Sequence, residues 1–246
     1  GAKVYFFEWC DDFSAARNES LRHATCDYIM WLDGDDEVPK PEHEIIKRDL
    51  LLKRGNAFYL HLKNSMNGVE DISLQLRIFP NKKGIRFSGR VHEQIIRAVA
   101  MAGIKISISE ATIIHHGYYS NEEVLKKLNR NIKILREELE KDPDNNNTMF
   151  FIARTLRGLN KIDEANHYLD RLIEIGEKNE KIKFTDMYGM VALEKVSILC
   201  SKNEIKEAIS FLEQMKMPQG DNVLIFTFGE LYYKTGDYDN AYKYLK

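Results

Sequence analysis

The chain has 246 residues, of which 43% are hydrophobic, and this is enough for two globular domains with real cores. Its 36 basic and 38 acidic side chains nearly cancel to a formal net charge of −2, so no global field attracts nucleic acid or an anionic membrane. The sequence has no long apolar run and no signal-peptide pattern, and its three cysteines form no zinc or disulfide pattern. Composition therefore predicts a soluble, cytoplasmic protein without an integral membrane segment or a nucleic-acid partner.

At both ends, the chain begins or stops within a segment that is typical of a strand or a helix. Gly1 leads without a Met into an apolar run at residues 4–7, and Lys246 lies within an amphipathic helical pattern. We therefore expect this sequence to be part of a longer protein.

The first half alternates short β-type runs with few helices, and Asn-Gly and Ala-Gly turn signals separate its later strands. This pattern indicates an α/β region that turns into antiparallel hairpins, and hence a mixed sheet. It predicts helices from a cap at Ser14 to about Ala24 and near residues 42–54. The predicted strands are residues 3–7, 27–32, 57–62, 74–79, 85–92 and 105–115.

The acidic turn, Asp33-Gly34-Asp35-Asp36-Glu37, directly follows the apolar run at residues 28–32. Such a run predicts a central strand covered on both faces, and ligands of open α/β sheets bind beyond the carboxyl ends of strands. Two interpretations stay open: Asp33 and Asp35 form an Asp-x-Asp site for a metal and a nucleotide sugar, or the turn is merely solvated. An EF-hand loop is excluded, because Val38 occupies the position that requires Gly.

A second candidate group is Arg17 with Asn18, in the first turns of the first predicted helix. An Arg at the edge of a sheet can bind phosphate or stack on a base, although a surface Arg is the simpler interpretation. The pair His115-His116 ends the last predicted strand, where a histidine is either a metal ligand or structural.

A third group lies in the predicted strand at residues 85–92 and just after it. Period two places Arg90 and His92 on one face and Val91 and Glu93 on the other. The sequence Arg77-Ile78-Phe79 lies on the preceding predicted strand, so two strands present Arg, His and Glu side chains near a glycine.

From Ser120 onward the pattern becomes helical. Ser120 and Glu123 form a capping box, and a helical apolar stripe continues until Asp142-Pro143. We therefore predict a first domain at residues 1–119, a connecting helix at residues 120–142 and a helical domain at residues 143–246.

The helical domain carries a repeated signal, in which a polar turn precedes an alanine that opens a helix. The alanines are Ala165, Ala208 and Ala241. The last two are 33 residues apart, close to a tetratricopeptide period, whereas the first two are 43 apart and imply a longer loop near residues 176–185. Tetratricopeptide-like helix pairs, the third of them truncated, explain this pattern, and an irregular helical bundle is the alternative.

The sequence lacks the motifs of serine hydrolases, P-loop kinases, dinucleotide-binding dehydrogenases and zinc proteases. Instead, five segments in order strongly resemble glycosyltransferase family 2 enzymes that carry a C-terminal tetratricopeptide region. They match the family patterns Trp-x-x-Asp-Phe-Ser-x-Ala-Arg-Asn, Leu-Asp-x-Asp, Leu-Arg-x-Phe, Gly-x-Val-His-Glu and His-x-Gly-Tyr. The resemblance covers nearly the whole chain, and its segments are residues 9–18, 32–35, 76–79, 89–93 and 115–118.

The resemblance implies a GT-A fold and an inverting hexosyltransferase that uses a nucleotide-diphosphate sugar with Mn²⁺ or Mg²⁺. By the same resemblance, Asp35 ligates the metal, Asp33 holds it through ribose or water, and His115 is the third ligand. Arg17 with Asn18 then lies near the nucleotide.

Inversion requires a base opposite the leaving group. Glu93 is the first candidate, Asp36 the second, and His92 lies alongside. Family members carry an earlier segment that binds the nucleotide base, and this sequence lacks it. We therefore expect the chain alone to be inactive or to form a homo-oligomer that covers an exposed sheet edge.

The function predicted from the sequence is sugar transfer to a protein or peptide acceptor that binds the helical repeats. Two alternatives stay open. One is a transferase that acts on cell-envelope glycans, and the other is a repeat-based binding scaffold whose transferase half is vestigial.

Overall fold

The structure is a computed structural model that describes residues 2–66, 69–117, 120–179, 186–215 and 222–246. The chain divides into two compact units, Gly1–Val124 and Leu125–Lys246. The first unit is α/β with a mixed sheet, and the described part of the second consists of helices and turns. This confirms the predicted fold class, a partial GT-A-type α/β region followed by an all-α helical-repeat region.

The first unit contains five strands and three helices in its described residues, and the helix that follows begins at its end. In chain order they are α1 (Phe13–Arg22), β1 (Tyr28–Met30), β2 (Asp36–Glu37), α2 (Lys40–Leu52), β3 (Ala57–Met66), β4 (Val69–Pro80), α3 (Ile96–Met101) and β5 (Ile106–His115).

The sheet has the order β1-β4-β3-β5-β2. The β3–β5 pair is parallel and the other three pairs are antiparallel, so the sheet is mixed as predicted. The strands β1 and β2 lie at opposite ends of this order although only five residues separate them in the chain. The sheet therefore curls, and the acidic turn spans from one end of it to the other.

Two predicted strands are wrong, and a third is shorter than predicted. Residues 3–7 form no strand, and their Val4 and Phe6 are about nine-tenths exposed. Residues 85–92 contain only an isolated bridge between Ser88 and Gln94. The strand predicted at residues 27–32 is limited to the three residues of β1, where only Ile29 is buried. Because β1 lies at an end of the strand order, it is not the central strand that its apolar run predicted.

Both faces of the sheet contribute to the core. On one face, α2 packs through Ile45, Ile46 and Leu50 against a cluster that includes Phe58 and Ile113. On the other face, a second cluster joins the sheet to α1, α3 and the segment between β4 and α3; its buried members are Leu21, Ile29, Ala57, Leu76, Phe79, Ile85, Phe87, Ile95, Val99 and Ile104. This packing fixes α1 and that segment beside the acidic turn.

The described part of the second unit continues with helices alone. They are α4 (Asn121–Lys141), α5 (Asn146–Gly158), α6 (Ile162–Lys178), α7 (Asp186–Ser201), α8 (Ile205–Gln214), α9 (Asn222–Lys234) and α10 (Tyr238–Leu245). The capping box before α4 is confirmed, because the Glu123 amide donates to Ser120 Oγ and Glu123 Oε2 accepts from the Ser120 amide. The longer loop expected near residues 176–185 falls largely outside the described residues, and α6 continues through Lys178.

The helix pairs α5–α6, α7–α8 and α9–α10 share one connecting turn. Each turn contains a residue in the left-handed region, with φ of 58° at Asn160, 62° at Asn203 and 80° at Gly236. In each, an amide donates to the carbonyl five residues earlier, as in a Schellman motif; the pairs are Lys161–Leu156, Glu204–Leu199 and Asp237–Tyr232. The turn therefore repeats as one structural unit.

The alanines that follow these turns are buried, as the repeat pattern predicted. Ala165, Ala208 and Ala241 each occupy the fourth position of the second helix of a pair and are 0–3% exposed. A small side chain at this position permits close approach of the neighbouring helix. The repeat interpretation is thus supported over an irregular bundle.

Candidate active site

The acidic turn is held by its own backbone and by the end of β5. The Asp36 amide donates to the Asp33 carbonyl at 3.1 Å, and the Asp33 amide donates to Asp36 Oδ2 at 2.8 Å. The two residues of β2 pair with His115 and Ile114, and the His116 amide donates to the Asp35 carbonyl at 2.8 Å. Strand pairing therefore brings His115 beside the acidic turn.

Asp36 has the most buried side chain among the carboxylates of the described site. Its side chain is fully buried, and it accepts hydrogen bonds at 2.8 Å from His115 Nδ1, Arg77 Nη1 and the Asp33 amide. Burial by itself raises the pKa of this carboxyl. The Asp33 amide, His115 and Arg77 outweigh that effect and leave the pKa of Asp36 below its ordinary value. Asp36 is therefore a buried carboxylate anion at neutral pH.

This carboxylate defines the tautomer of His115. A carboxylate only accepts hydrogen bonds, so His115 Nδ1 carries the proton and donates it to Asp36 Oδ1. In the neutral imidazole, the lone pair of Nε2 is then available to bind a cation. Nε2 lies 3.7 Å from Asp35 Oδ2, so one divalent cation with ligand distances of about 2.0–2.2 Å can contact both atoms.

A metal-ligand geometry is present among the described residues. Ligand atoms of Asp35, Asp36 and His115 lie within 4.8 Å of one another. Carboxylate oxygen with imidazole nitrogen is a suitable donor set for Mn²⁺, so the residues fit a divalent cation. This group differs from the ligand set expected from the sequence in one member, because Asp33 is directed to two arginines and Asp36 is the third residue within this distance.

Arg77 is a buried cation between the two halves of the turn. Its side chain is 1% exposed, and it reaches Asp36 at 2.8 Å and Asp33 at 3.7 Å. The guanidinium lies 3.8 Å from the centroid of the Trp31 ring, and Arg17 lies close enough to repel it. Burial, together with this repulsion, lowers the pKa of Arg77 below its ordinary value. The guanidinium nevertheless stays charged, because that value is far above neutral pH.

Arg17 connects α1 to the acidic turn and to the segment after β4. It donates from Nε to Glu93 Oε1 at 2.5 Å and from Nη2 to Asp33 Oδ1 at 2.8 Å. Its guanidinium also lies 4.2 Å from the Trp31 ring centroid. Burial lowers the pKa of Arg17, but the two carboxylates outweigh it and the net pKa is raised. Glu93, Asp33 and Asp36 therefore belong to one network of alternating charges.

The cap of α1 is Asp12, whereas Ser14 was predicted. Asp12 Oδ1 accepts from the Ala15 amide at 2.9 Å, and the Ser14 hydroxyl donates to the same oxygen at 2.8 Å. The helix that begins here orients Arg17 toward the turn.

The residues around Gly89 form a closed loop, whereas a strand was predicted there. Ser88 and Gln94 exchange two backbone hydrogen bonds, of 3.0 and 2.9 Å, across residues 89–93. Gly89 and His92 have φ of 97° and 55°, values that no β-strand adopts. The predicted strand is therefore wrong, and the loop exposes His92 and directs Glu93 toward Arg17.

Asn18 and His116 have local structural partners. The Asn18 side chain accepts from the Phe87 amide at 2.8 Å and donates to the Phe87 carbonyl at 3.0 Å. We therefore assign Asn18 to holding this backbone against α1, whereas the sequence placed it at the nucleotide. His116 Nε2 lies 2.8 Å from Glu37 Oε2 in an exposed pair.

A cleft of about 300 Å³ opens beside this network. Arg17, Trp31 and Phe87 line it, together with apolar residues of α1 and β1. From the sequence, Trp31 was interpreted only as part of an apolar strand, and Arg77 was placed in the third candidate group without a role. The signal was present in the sequence, since Arg77 interrupts the otherwise apolar run Leu76-Arg77-Ile78-Phe79.

The comparisons with known proteins relate the first part of the chain to a glycosyltransferase family. Residues 1–72 match the model of glycosyl transferase family 2. The first part of the chain is thus similar to this family, as the sequence resemblance predicted, and the helical repeats follow it.

Two curated relatives are similar to most of this chain, and one is named as a glycosyltransferase and the other as a repeat protein. The chain is 26% identical over 218 residues to the SPbeta prophage-derived glycosyltransferase SunS of Bacillus subtilis, and the alignment covers 86% of this chain and 50% of SunS. It is 24% identical over 204 residues to a TPR repeat-containing protein of Synechococcus elongatus, with 79% and 50% covered. The chain thus spans about half the length of the curated relatives it matches.

Among solved structures, MamA from AMB-1 aligns with 52% of this chain and 75% of its own. The identity is 16% and the TM-score 0.35, a similarity that carries no argument for function. In the part of the chain that the structure describes, no helix is long and apolar enough to cross a membrane.

Proposed function

We propose that this chain is part of a metal-dependent, inverting glycosyltransferase that transfers a hexosyl group from a nucleotide-diphosphate sugar to a protein or peptide. The observation that carries the proposal is the prepared pair of ligands, Asp35 Oδ2 and His115 Nε2, 3.7 Å apart. A merely solvated acidic turn needs neither a buried carboxylate behind it nor a histidine held in one tautomer.

Asp35 and His115 would hold the Mn²⁺ or Mg²⁺ ion. When bound, the cation neutralises charge on the diphosphate leaving group. Asp33 is one-third exposed and lies between Arg17 and Arg77, which suits a contact with the ribose or with a water on the metal.

The cleft beside Arg17 and Trp31 is the proposed place for the nucleotide. An aromatic ring offers a stacking surface for a planar base, and a guanidinium binds phosphate oxygens. Because Arg17 already bonds to Glu93 and Asp33, a diphosphate would compete with these carboxylates for it.

Glu93 remains our candidate for the catalytic base, with His92 beside it in the loop. Glu93 is 12% exposed and is held at a fixed place by Arg17, so its carboxylate is positioned rather than free in solution. Asp36 does not suit this role. It is fully buried and uses both carboxylate oxygens for hydrogen bonds, so it has no access to an acceptor.

The helical repeats are the proposed acceptor-binding part. A groove of about 280 Å³ lies between α6, α7 and α8, with an apolar floor of Ile173, Phe211 and Met215. Carboxylates of α6 lie along it, among them Glu174 and Glu177. An extended peptide suits such a groove better than a bulky envelope glycan does.

The alternatives are a transferase that acts on cell-envelope glycans and a binding scaffold with a vestigial transferase half. A scaffold has no need of the ligand pair, and this disfavours it.

Metal binding tests the proposal directly. Mn²⁺ titration of the chain, followed by the electron paramagnetic resonance signal of free Mn²⁺, should show one site. Asp35→Asn should weaken it at least tenfold, because a carboxylate ligand is lost. Asp27→Asn, an exposed acidic residue before β1, is the matched control and should leave binding unchanged.

Donor hydrolysis completes the test. A panel of nucleotide sugars incubated with Mn²⁺ and the full-length protein that contains this chain should release the nucleoside diphosphate from one donor, and Asp35→Asn should abolish this release. Unchanged Mn²⁺ affinity and unchanged hydrolysis in Asp35→Asn would exclude the proposed metal site.

A further inference from the structure

We propose that Asp36 and Arg77 form a positioning pair that acts on the bound cation through His115 and does not itself ligate the metal. This inference rests on the proposed metal site. It concerns residues that sequence reasoning either placed elsewhere, as Asp36 among the bases, or left without a role, as Arg77.

Both oxygens of Asp36 already accept hydrogen bonds from the protein. Oδ1 accepts from His115 Nδ1 at 2.8 Å, and Oδ2 accepts from Arg77 Nη1 and from the Asp33 amide, both at 2.8 Å. Its side chain is 0% exposed, so solvent and substrate do not reach it. Asp36 thus lies within ligand distance of Asp35 and His115. Its contacts, however, are those of a residue that supports the ligand His115 by a hydrogen bond.

Arg77 is the counter-ion that permits this buried charge. Removing a carboxylate from water is costly unless a cation and hydrogen bonds compensate for it. Arg77 is itself 1% exposed and is held by the ring of Trp31, at 3.8 Å, and by the Trp31 carbonyl, at 3.4 Å. The guanidinium therefore cannot leave Asp36 for solvent without disrupting the core around Trp31.

The Asp36–Arg77 pair influences the metal site through the imidazole of His115. The ionised Asp36 keeps the proton of His115 on Nδ1 and orients the ring so that Nε2 faces Asp35. Carboxylate–histidine–metal arrangements of this kind raise the basicity of the ligand and fix its orientation, and loss of the outer carboxylate typically lowers metal affinity about 10–100-fold.

A double-mutant cycle separates positioning from direct ligation. Asp36→Asn should weaken Mn²⁺ binding about 10–100-fold in the unchanged background. If Asp36 acts through His115, it should weaken binding less than about threefold in a His115→Ala background. A loss of equal size in both backgrounds would mean that Asp36 is a ligand in its own right and would overturn the inference. Unchanged affinity in Asp36→Asn would overturn it as well.

The tautomer gives a readout that needs neither metal nor sugar. In the metal-free chain labelled with ¹⁵N-histidine at pH 8, long-range ¹H–¹⁵N correlations should show His115 protonated at Nδ1, with His115→Gln used for assignment. Asp36→Asn should shift the population toward Nε2–H. A wild-type His115 protonated at Nε2 would overturn the inference whatever the behaviour of the variants.

Arg77→Gln extends the test to the counter-ion. It should lower Mn²⁺ affinity about tenfold and add little in the Asp36→Asn background. Additive losses would contradict a shared role, and if Arg77→Gln fails to fold, the Asp36 cycle and the tautomer decide the question.

Failure of the inference and failure of the proposed function are distinguishable. Normal Mn²⁺ binding with the expected cycle but without sugar transfer would reject the function alone. No Mn²⁺ binding by the unchanged chain would reject the metal site and this inference with it.

Discussion

Replacing Arg17 with Met should destabilise the first unit, because Arg17 joins three parts of it. Its guanidinium bonds to Glu93 at 2.5 Å and to Asp33 at 2.8 Å, and lies 4.2 Å from the Trp31 ring centroid. Met keeps an unbranched apolar stem of similar reach, so the change removes mainly the charge and its hydrogen bonds.

The size of this loss in unfolding free energy depends on how exposed the interacting side chains are. The side chains of Arg17, Glu93 and Asp33 are 22%, 12% and 36% exposed, so this network lies between a surface pair and a buried one. Exposed pairs contribute about 0–1 kcal/mol, whereas removing one partner of a buried pair costs about 3–5 kcal/mol. We therefore expect the free energy of unfolding to fall by about 2 kcal/mol, with the cation–π contact included.

Tryptophan fluorescence during urea unfolding is a suitable assay, because both tryptophans, Trp9 and Trp31, belong to the first unit. The matched control is Arg22→Met on the same helix. Arg22 is 69% exposed and pairs only with its helical neighbour Glu19 among the described contacts, so its loss should be under about 0.5 kcal/mol. Equal losses in the two variants, or a loss below about 0.5 kcal/mol for Arg17→Met, would refute the reasoning.

Two further predictions concern the helical unit, and far-ultraviolet circular dichroism during urea unfolding measures both. Gly176→Ala would place Cβ 2.2 Å from the ring of Tyr188, which is 2% exposed and cannot move, so the unfolding free energy should fall by about 1–3 kcal/mol. Gly229→Ala meets Leu245, which is 45% exposed and can turn away, so a similar loss there would contradict this account. Tyr232→Phe should cost about 1 kcal/mol at pH 7, because the phenol donates to Glu213 at 2.6 Å. The Glu213 carboxylate raises the pKa of Tyr232 from 10.0 to about 12, so this stabilisation is complete below pH 10 and is lost as the pH rises through 12; a penalty that stays constant over that range would argue against it.

Local sequence signals predicted the helical unit well. A capping box, an apolar stripe of helical period and a repeated turn before an alanine each depend on neighbouring residues, and each is confirmed in the structure. Interactions within one helix or one tight turn are encoded over only a few positions, so a pattern in the sequence is sufficient to find them.

The strands were predicted less well, for a physical reason. The alternation of Ile85, Phe87 and Val91 comes from burial, since all three residues are in the core. A loop that is anchored from one side shows the same alternation as a strand. Only the left-handed backbone at Gly89 and His92 distinguishes this loop from a strand. A histidine rarely adopts that conformation, so His92 gives no sign of it in the sequence.

The sequence by itself determined the order of an α/β region and helical repeats, and it identified the acidic turn and His115 as candidates for chemistry. The tertiary structure decided which carboxylate has which environment. Asp36 lies 41 residues from Arg77 and 79 from His115 in the chain, and only the folded sheet brings these partners within 2.8 Å. Three carboxylates that look alike in the sequence therefore differ in the fold. Asp33 faces two arginines, Asp35 faces Nε2 of His115, and Asp36 is buried. The reason is that the sheet as a whole, and not the turn, determines the burial and the charged partners of each carboxylate.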